Sequence, residues 1–265
     1  THNDIPKPLA QSCTFKWLGH ICQYINKGLN SCTFKATETR IFGLFGYILT
    51  VYFLSLIMRL YVAINLPFKK LSQWQQVAFC AALLERMLPN YQMFADHVEF
   101  GNFKVLRNQL DLVWQWLDKA NRCKINYDAQ INKLEEQVPD PDAFDFLGVF
   151  PALDCTMALM SLFQAMQDPE SDGFVNVGKL SENSVSYYVE LSLAQEFDVT
   201  TPNEDEIEIS PEQIAEHPLM QWEIATQNEL FDFLSSASEN KASCIKAKAL
   251  VLEEGLSNLG IEISA

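Results

Sequence analysis

Residues 73–88 (QWQQVAFCAALLERML) constrain the fold most. Ser72 precedes Gln75 by three positions, the spacing of a capping box, and predicts a helix from Gln73 to Leu88. Val77, Ala81, Leu84 and Leu88 recur at helical spacing, and Phe79, Leu83 and Met87 cover the adjacent face. A helix apolar on nearly every side has to be surrounded by other elements, so it is expected at the centre of the fold. Pro89 is expected to end it, because the residue before a proline is pushed out of the helical region.

The segments that follow carry the same period. Helices are expected at Asn90–Val98, Phe103–Ala120, Tyr127–Val138, Val149–Met166, Phe174–Gln195, Pro211–Glu216, Leu219–Ala237 and Lys241–Leu259. Gly101, Pro139, Pro141, Asp172-Gly173, Pro202 and Pro218 mark the breaks between them. Ser210-Pro211 reads as an N-cap followed by proline at the first helical position. Gly260 reads as a stop after the last helix. Only Glu206–Ile209 alternates like a strand, and Asp198–Glu208 reads as an exposed acidic loop. Short connections favour antiparallel neighbours. The expected class is all-α, a single bundle of roughly seven to nine helices over residues 71–265.

Charge divides the chain at about residue 70. Residues 1–70 hold eight basic and two acidic residues, a net of +6, and the remainder holds eleven basic and thirty-two acidic, a net of −21. So acidic a body repels nucleic-acid backbones and anionic membranes; its expected partners are proteins, basic ones foremost. Seven cysteines without a CxxC pair match neither a zinc ribbon nor a disulfide framework, which points to a reducing compartment, the cytoplasm.

The basic part contains Ile41–Met58 (IFGLFGYILTVYFLSLIM), eighteen residues without a charge. That reaches the lower limit of about 17–25 residues for a spanning helix. Lys27, Lys35 and Arg40 precede it and Arg59, Lys69 and Lys70 follow, so flanking charge sets no orientation. Met58 is the first methionine, and Ser12–Lys16 (SCTFK) recurs at Ser31–Lys35. Three readings stay open: an upstream extension with translation starting at Met58, a single-pass inner-membrane anchor, and an apolar helix packed on the body.

Four segments of the body carry a resemblance. They are WQQVAFCAALLERMLPNYQMF at 74–94, FDFLGVFPALD at 144–154, Gln-Trp-Glu at 221–223 and Asn-Leu-Gly-Ile at 258–261. Together they resemble the YjaG family of bacterial proteins, a domain of unknown function, over about residues 69–263. The resemblance implies an all-helical, soluble, cytoplasmic protein. It implies no reaction, and family members begin shortly before the Trp-Gln motif, so residues 1–57 depart from the pattern.

Candidate chemistry rests on a few polar residues. Glu85 and Arg86 are adjacent charges on the apolar helix, and a buried charge demands a partner. Asn90 follows one turn later. Asp145 and Asp154 flank the Gly148–Pro151 turn, Asp145 as a prospective cap and Asp154 inside an apolar run. If Glu85, Asp145 and Asp154 converged, they would supply carboxylates for acid–base work or a cation. If each is tied up by a cap or an ion pair, a binding or regulatory module is favoured over an enzyme. Asp168–Val175 resembles half an EF-hand loop, but Lys179 stands where the bidentate Glu belongs. His97-Val-Glu99 lacks the PCxxC half of a deaminase site, and there is no HExxH, P-loop, GxGxxG or GxSxG. No metal or cofactor is expected. Trp114 and Trp116 point to different sides of one helix, which leaves one of them as a prospective partner anchor.

Overall fold

The computed structural model describes residue 64 and residues 66–120, 123–200 and 209–263, the side chains of 196–200 excepted. These all belong to one unit, Leu56–Ala265. The apolar run Ile41–Met58, the repeated SCTFK words and most of the acidic loop lie outside the described residues.

Among the described residues the elements are α-helices, two short 3-10 turns and one isolated antiparallel bridge. The helices are α1 Gln73–Val98, α2 Phe103–Leu117, α3 Tyr127–Glu135, α4 Val149–Gln167, α5 Gly173–Thr200, α6 Pro211–Glu216, α7 Pro218–Ser236 and α8 Lys241–Val251. The all-helical class read from the periodicity is the class of the fold. α1 is the hub, packing on α2, α4, α5, α7 and α8. Its caps are local: Ser72 Oγ accepts from the Gln75 amide and the Gln75 side chain accepts from the Ser72 amide. Capping boxes or single Asn caps also start α2, α3, α6 and α8.

Two expectations fail at helix ends. Pro89 does not end the first helix, which continues to Val98. Pro89 has no N–H for the Glu85 carbonyl, at a cost of about 3 kcal/mol. The extra turns bury Tyr91 and Phe94 completely, worth roughly 1.5–3 kcal/mol each, so packing outweighs the defect. The next carbonyl in that turn, of Arg86, accepts from the Asn258 amide at 3.2 Å, so a distant segment helps hold the turn. The last helix, expected to reach Leu259, stops at Val251. The chain then reverses: Gly255 and Gly260 have φ of 65° and 78°, and Leu256 bridges to Glu262. Ser257 Oγ accepts from the amides of Leu259 and Ile261, both at 3.1 Å. This turn is held because Leu259 joins a small core with Val185, Val189, Ile214 and Met220.

α4 is long and apolar enough to cross a membrane by composition alone, but 83% of that stretch is buried inside the bundle. α4 is therefore a core helix, packed on α1 and α5. At the far end of α1 the chain turns through Glu99 and Gly101 at φ of 55° and 72°. A Cβ on Gly101 would collide with the Tyr91 hydroxyl, so this turn requires glycine.

Candidate functional site

Arg86 on α1 and Glu223 on α7 form an ion pair at 2.7 Å with no exposed side-chain area on either residue. Taking both charges out of water is tolerable only if the remaining donors and acceptors are well placed. Glu223 meets that condition. Its Oε2 accepts from Arg86 Nη1, and its Oε1 accepts from Ser181 Oγ (2.6 Å) and Gln227 Nε2 (2.8 Å). Gln227 also donates to the Gly178 carbonyl at 3.1 Å, which ties α7 to α5. The Arg86 guanidinium lies over Trp222, 4.2 Å from the ring centroid.

Asn90, one turn beyond Arg86, extends the network to the C-terminal turn. Asn258 Nδ2 donates to the Ser181 carbonyl at 3.2 Å, an acceptor that fixes which way the amide faces. Asn258 Oδ1 is then free to accept from Asn90 Nδ2 at 2.7 Å. Among the described residues Asn90 Oδ1 has no hydrogen-bond partner, nor do Arg86 Nε and Nη2. Arg86, Asn90, Ser181, Glu223, Gln227 and Asn258 are all buried, so one polar cluster joins α1, α5, α7 and the terminal turn.

Glu85 faces the other way, toward α2 and α8. Arg107 grips it with two hydrogen bonds (2.7 and 2.9 Å), Trp114 Nε1 donates at 2.7 Å, and Lys248 Nζ at 2.9 Å. Burial pushes the Glu85 carboxyl up, but the hydrogen bond and charge of Arg107, joined by Lys248, hold it below its ordinary value. Asp154 on α4 is a third, separate site: its Oδ2 accepts from Ser184 Oγ and Asn183 Nδ2 of α5, both at 2.9 Å.

The carboxylates proposed to share a pocket are therefore not brought together. Glu85 and Asp154 are engaged on different faces of the core, and Asp145 is exposed. Nor does Asp145 cap α4, whose N-cap, Gly148, makes no side-chain cap bond. Trp116 is buried and Trp114 is held by Glu85. In the loop that resembles half an EF-hand, Asp168 Oδ1 accepts from the Glu170 amide, an ordinary helix–helix turn. His97 packs against Phe146 with ring centroids 4.2 Å apart and the planes tilted by 34°. Among the described residues no three His, Cys, Asp or Glu side chains converge as a metal site would require.

Sequence reasoning singled out Arg86 and Asn90 but not their partners. Glu223 and Asn258 fall inside two of the motifs that carried the resemblance, which was the available signal. Ser181, Gln227, Arg107 and Lys248 carried none, because nothing local distinguishes a tertiary partner from a surface residue.

Comparison with known proteins gives a consistent result. Residues 63–262 match the family described as "Protein of unknown function (DUF416)". The chain is 36% identical over 200 residues to the uncharacterized protein YjaG of Escherichia coli K12, spanning 75% of this chain and 95% of the relative. It is 30% identical over 197 residues to an uncharacterized protein of Haemophilus influenzae, 73% of this chain and 94% of the other. A crystal structure of a DUF416 family protein from Shewanella baltica superposes with a TM-score of 0.63 at 31% identity, covering 75% of this chain and all of that one. This chain belongs to the DUF416 family of proteins of unknown function.

Proposed function

We propose that the helical body is a non-enzymatic protein-binding or regulatory module of the cytoplasm. The observation that carries this reading is that both buried candidate carboxylates, Glu85 and Asp154, are engaged within the bundle on different faces rather than converging. The net of −21 over residues 71–265 favours partners that present lysine and arginine. A cleft of about 130 Å³ between α7 and the end of α8 with the turn after it suits such a side chain, with Trp222, Glu229, Glu253 and Glu254 among its lining residues. Buried free thiols at Cys80 and Cys155 suit a reducing compartment. A membrane-tethered form of the same body is the alternative, resting on Ile41–Met58 alone.

The test is affinity capture with the full chain, followed by reconstitution with the purified partner at low and high salt. A one-to-one complex that weakens with salt and with Glu253→Lys/Glu254→Lys supports the reading. Capture unaffected by that charge reversal removes the cleft from it. A second reading, a small polar ligand held in the core, is supported by Arg86 Nε, Arg86 Nη2 and Asn90 Oδ1, which have no hydrogen-bond partner among the described residues. Native mass spectrometry of the purified protein would reveal it as a bound mass that Asn90→Ala removes.

A further inference from the structure

A relay of hydrogen bonds runs through the polar core and stops one link short of a closed ring. Arg86 Nη1 donates to Glu223 Oε2 at 2.7 Å, and Ser181 Oγ donates to Glu223 Oε1 at 2.6 Å. Asn258 Nδ2 donates to Ser181 Oγ at 3.2 Å, and Asn90 Nδ2 donates to Asn258 Oδ1 at 2.7 Å. Asn90 stands one turn from Arg86 on α1, so the two ends of the relay rise from one helix face, about 5–6 Å apart at Cβ. All five residues are 0% exposed, which puts the missing link out of reach of bulk solvent.

The missing link has a defined chemistry. Among the described residues nothing accepts from Arg86 Nε or Nη2, and nothing donates to Asn90 Oδ1. Nε and Nη2 lie along one edge of the guanidinium, a fork whose two N–H groups point the same way. Asn90 Oδ1 calls for a donor, and turning the amide over would not help. The Ser181 carbonyl fixes the Asn258 amide, and Asn258 Oδ1 in turn fixes Asn90 Nδ2. The occupant therefore accepts two hydrogen bonds and donates one. It is neutral, because Arg86 is already paired with Glu223 and a further charge would be buried without a partner. Three hydrogen bonds on one small neutral molecule are about what a buried water makes.

We propose that a single internal water closes this ring: its oxygen accepts from Arg86 Nε and Nη2, and one O–H donates to Asn90 Oδ1. The inference rests on the second reading of function, a polar molecule held in the core, and names that molecule. With the water in place every donor is directed from the cation toward the carboxylate. Arg86 donates to water, water to Asn90, Asn90 to Asn258, Asn258 to Ser181 and Ser181 to Glu223. Hydrogen bonds aligned in this way polarise and strengthen one another. The water thereby ties the terminal turn, which carries Asn258, to the central helix and its ion pair.

The experiment is NMR of the full chain, reading the Arg86 Nε–H at the water frequency. A cross-peak of opposite sign in NOE and ROE spectra is expected, the signature of a water proton that stays beside it. Asn90→Leu, similar in shape but without the acceptor, should lose the peak. No peak, a peak of the same sign in both spectra (proton exchange with solvent), or a peak that Asn90→Leu leaves unchanged overturns the proposal. Native mass spectrometry separates the water from the reading beneath it. A bound mass keeps a ligand in the core and overturns the water, whereas neither mass nor cross-peak ends both. Should Asn90→Leu fail to fold, a crystal structure of the wild type decides. One round density peak within about 3.2 Å of all three atoms supports the water. No density there, density larger than one atom, or Arg86 bonded directly to Asn90 Oδ1 overturns it.

Discussion

Replacing Glu223 by Gln tests the central network most directly. The substitution keeps size and shape but removes the charge that balances Arg86. Both side chains are fully buried, so the guanidinium would be left uncompensated, at a cost of about 3–5 kcal/mol. The new amide oxygen can still accept from Ser181 and Gln227, which donate at 2.6 and 2.8 Å. Its NH₂ would then face Arg86 Nη1, donor against donor. A loss of this size lowers the melting temperature of a domain of this length by about 6–20 °C. Urea denaturation at pH 7 should show an earlier midpoint with an unchanged slope. The decisive comparison is Glu223→Gln combined with Arg86→Met, which leaves no buried charge. The double variant should be more stable than Glu223→Gln alone, since the stranded charge is the main cost. A single variant costing under about 1 kcal/mol, or a double variant less stable than the single, would refute the description of a fully buried, charge-balanced pair.

Three further outcomes follow from the other sites. Glu85→Gln should cost about 1–3 kcal/mol, a discounted figure because Lys248 is 43% exposed. Because its partners lower the Glu85 carboxyl, its contribution is full above about pH 4.5 and is lost as pH falls through the lowered value. The wild-type advantage over Glu85→Gln, read from urea midpoints, should therefore shrink in acid. Trp74→Phe should cost about 1–2 kcal/mol by stranding the Leu117 carbonyl, which accepts from Trp74 Nε1 at 2.9 Å; thermal melts check it. Of the four described cysteines, Cys123 should react first with a thiol reagent under native conditions. Burial raises the thiols of Cys80 and Cys155 well above their ordinary value, and that of Cys244 to about 11. Mass mapping of the labelled sites gives the order.

Helix positions were legible because apolar periodicity and capping are local. Ser72, Ser210 and Asn240 start helices through bonds made within three residues. The need for partners at Glu85 and Arg86 was legible for the same reason, since two charges on an apolar helix cannot stay bare. Those partners were not: Glu223 and Lys248 lie well over a hundred residues away, and only packing brings them within 3 Å of Arg86 and Glu85. Proline, read locally, ended α1 at residue 88. Two fully buried aromatic side chains beyond it carried the helix on to Val98, because burial outweighs one missing hydrogen bond. The sequence by itself determined an acidic, all-helical body. The tertiary structure decided that Glu85, Asp154 and the Arg86–Glu223 pair are engaged in three separate places. The physical reason is that a buried polar atom is bound by whichever group packing brings to it, and spacing along the chain does not encode that choice.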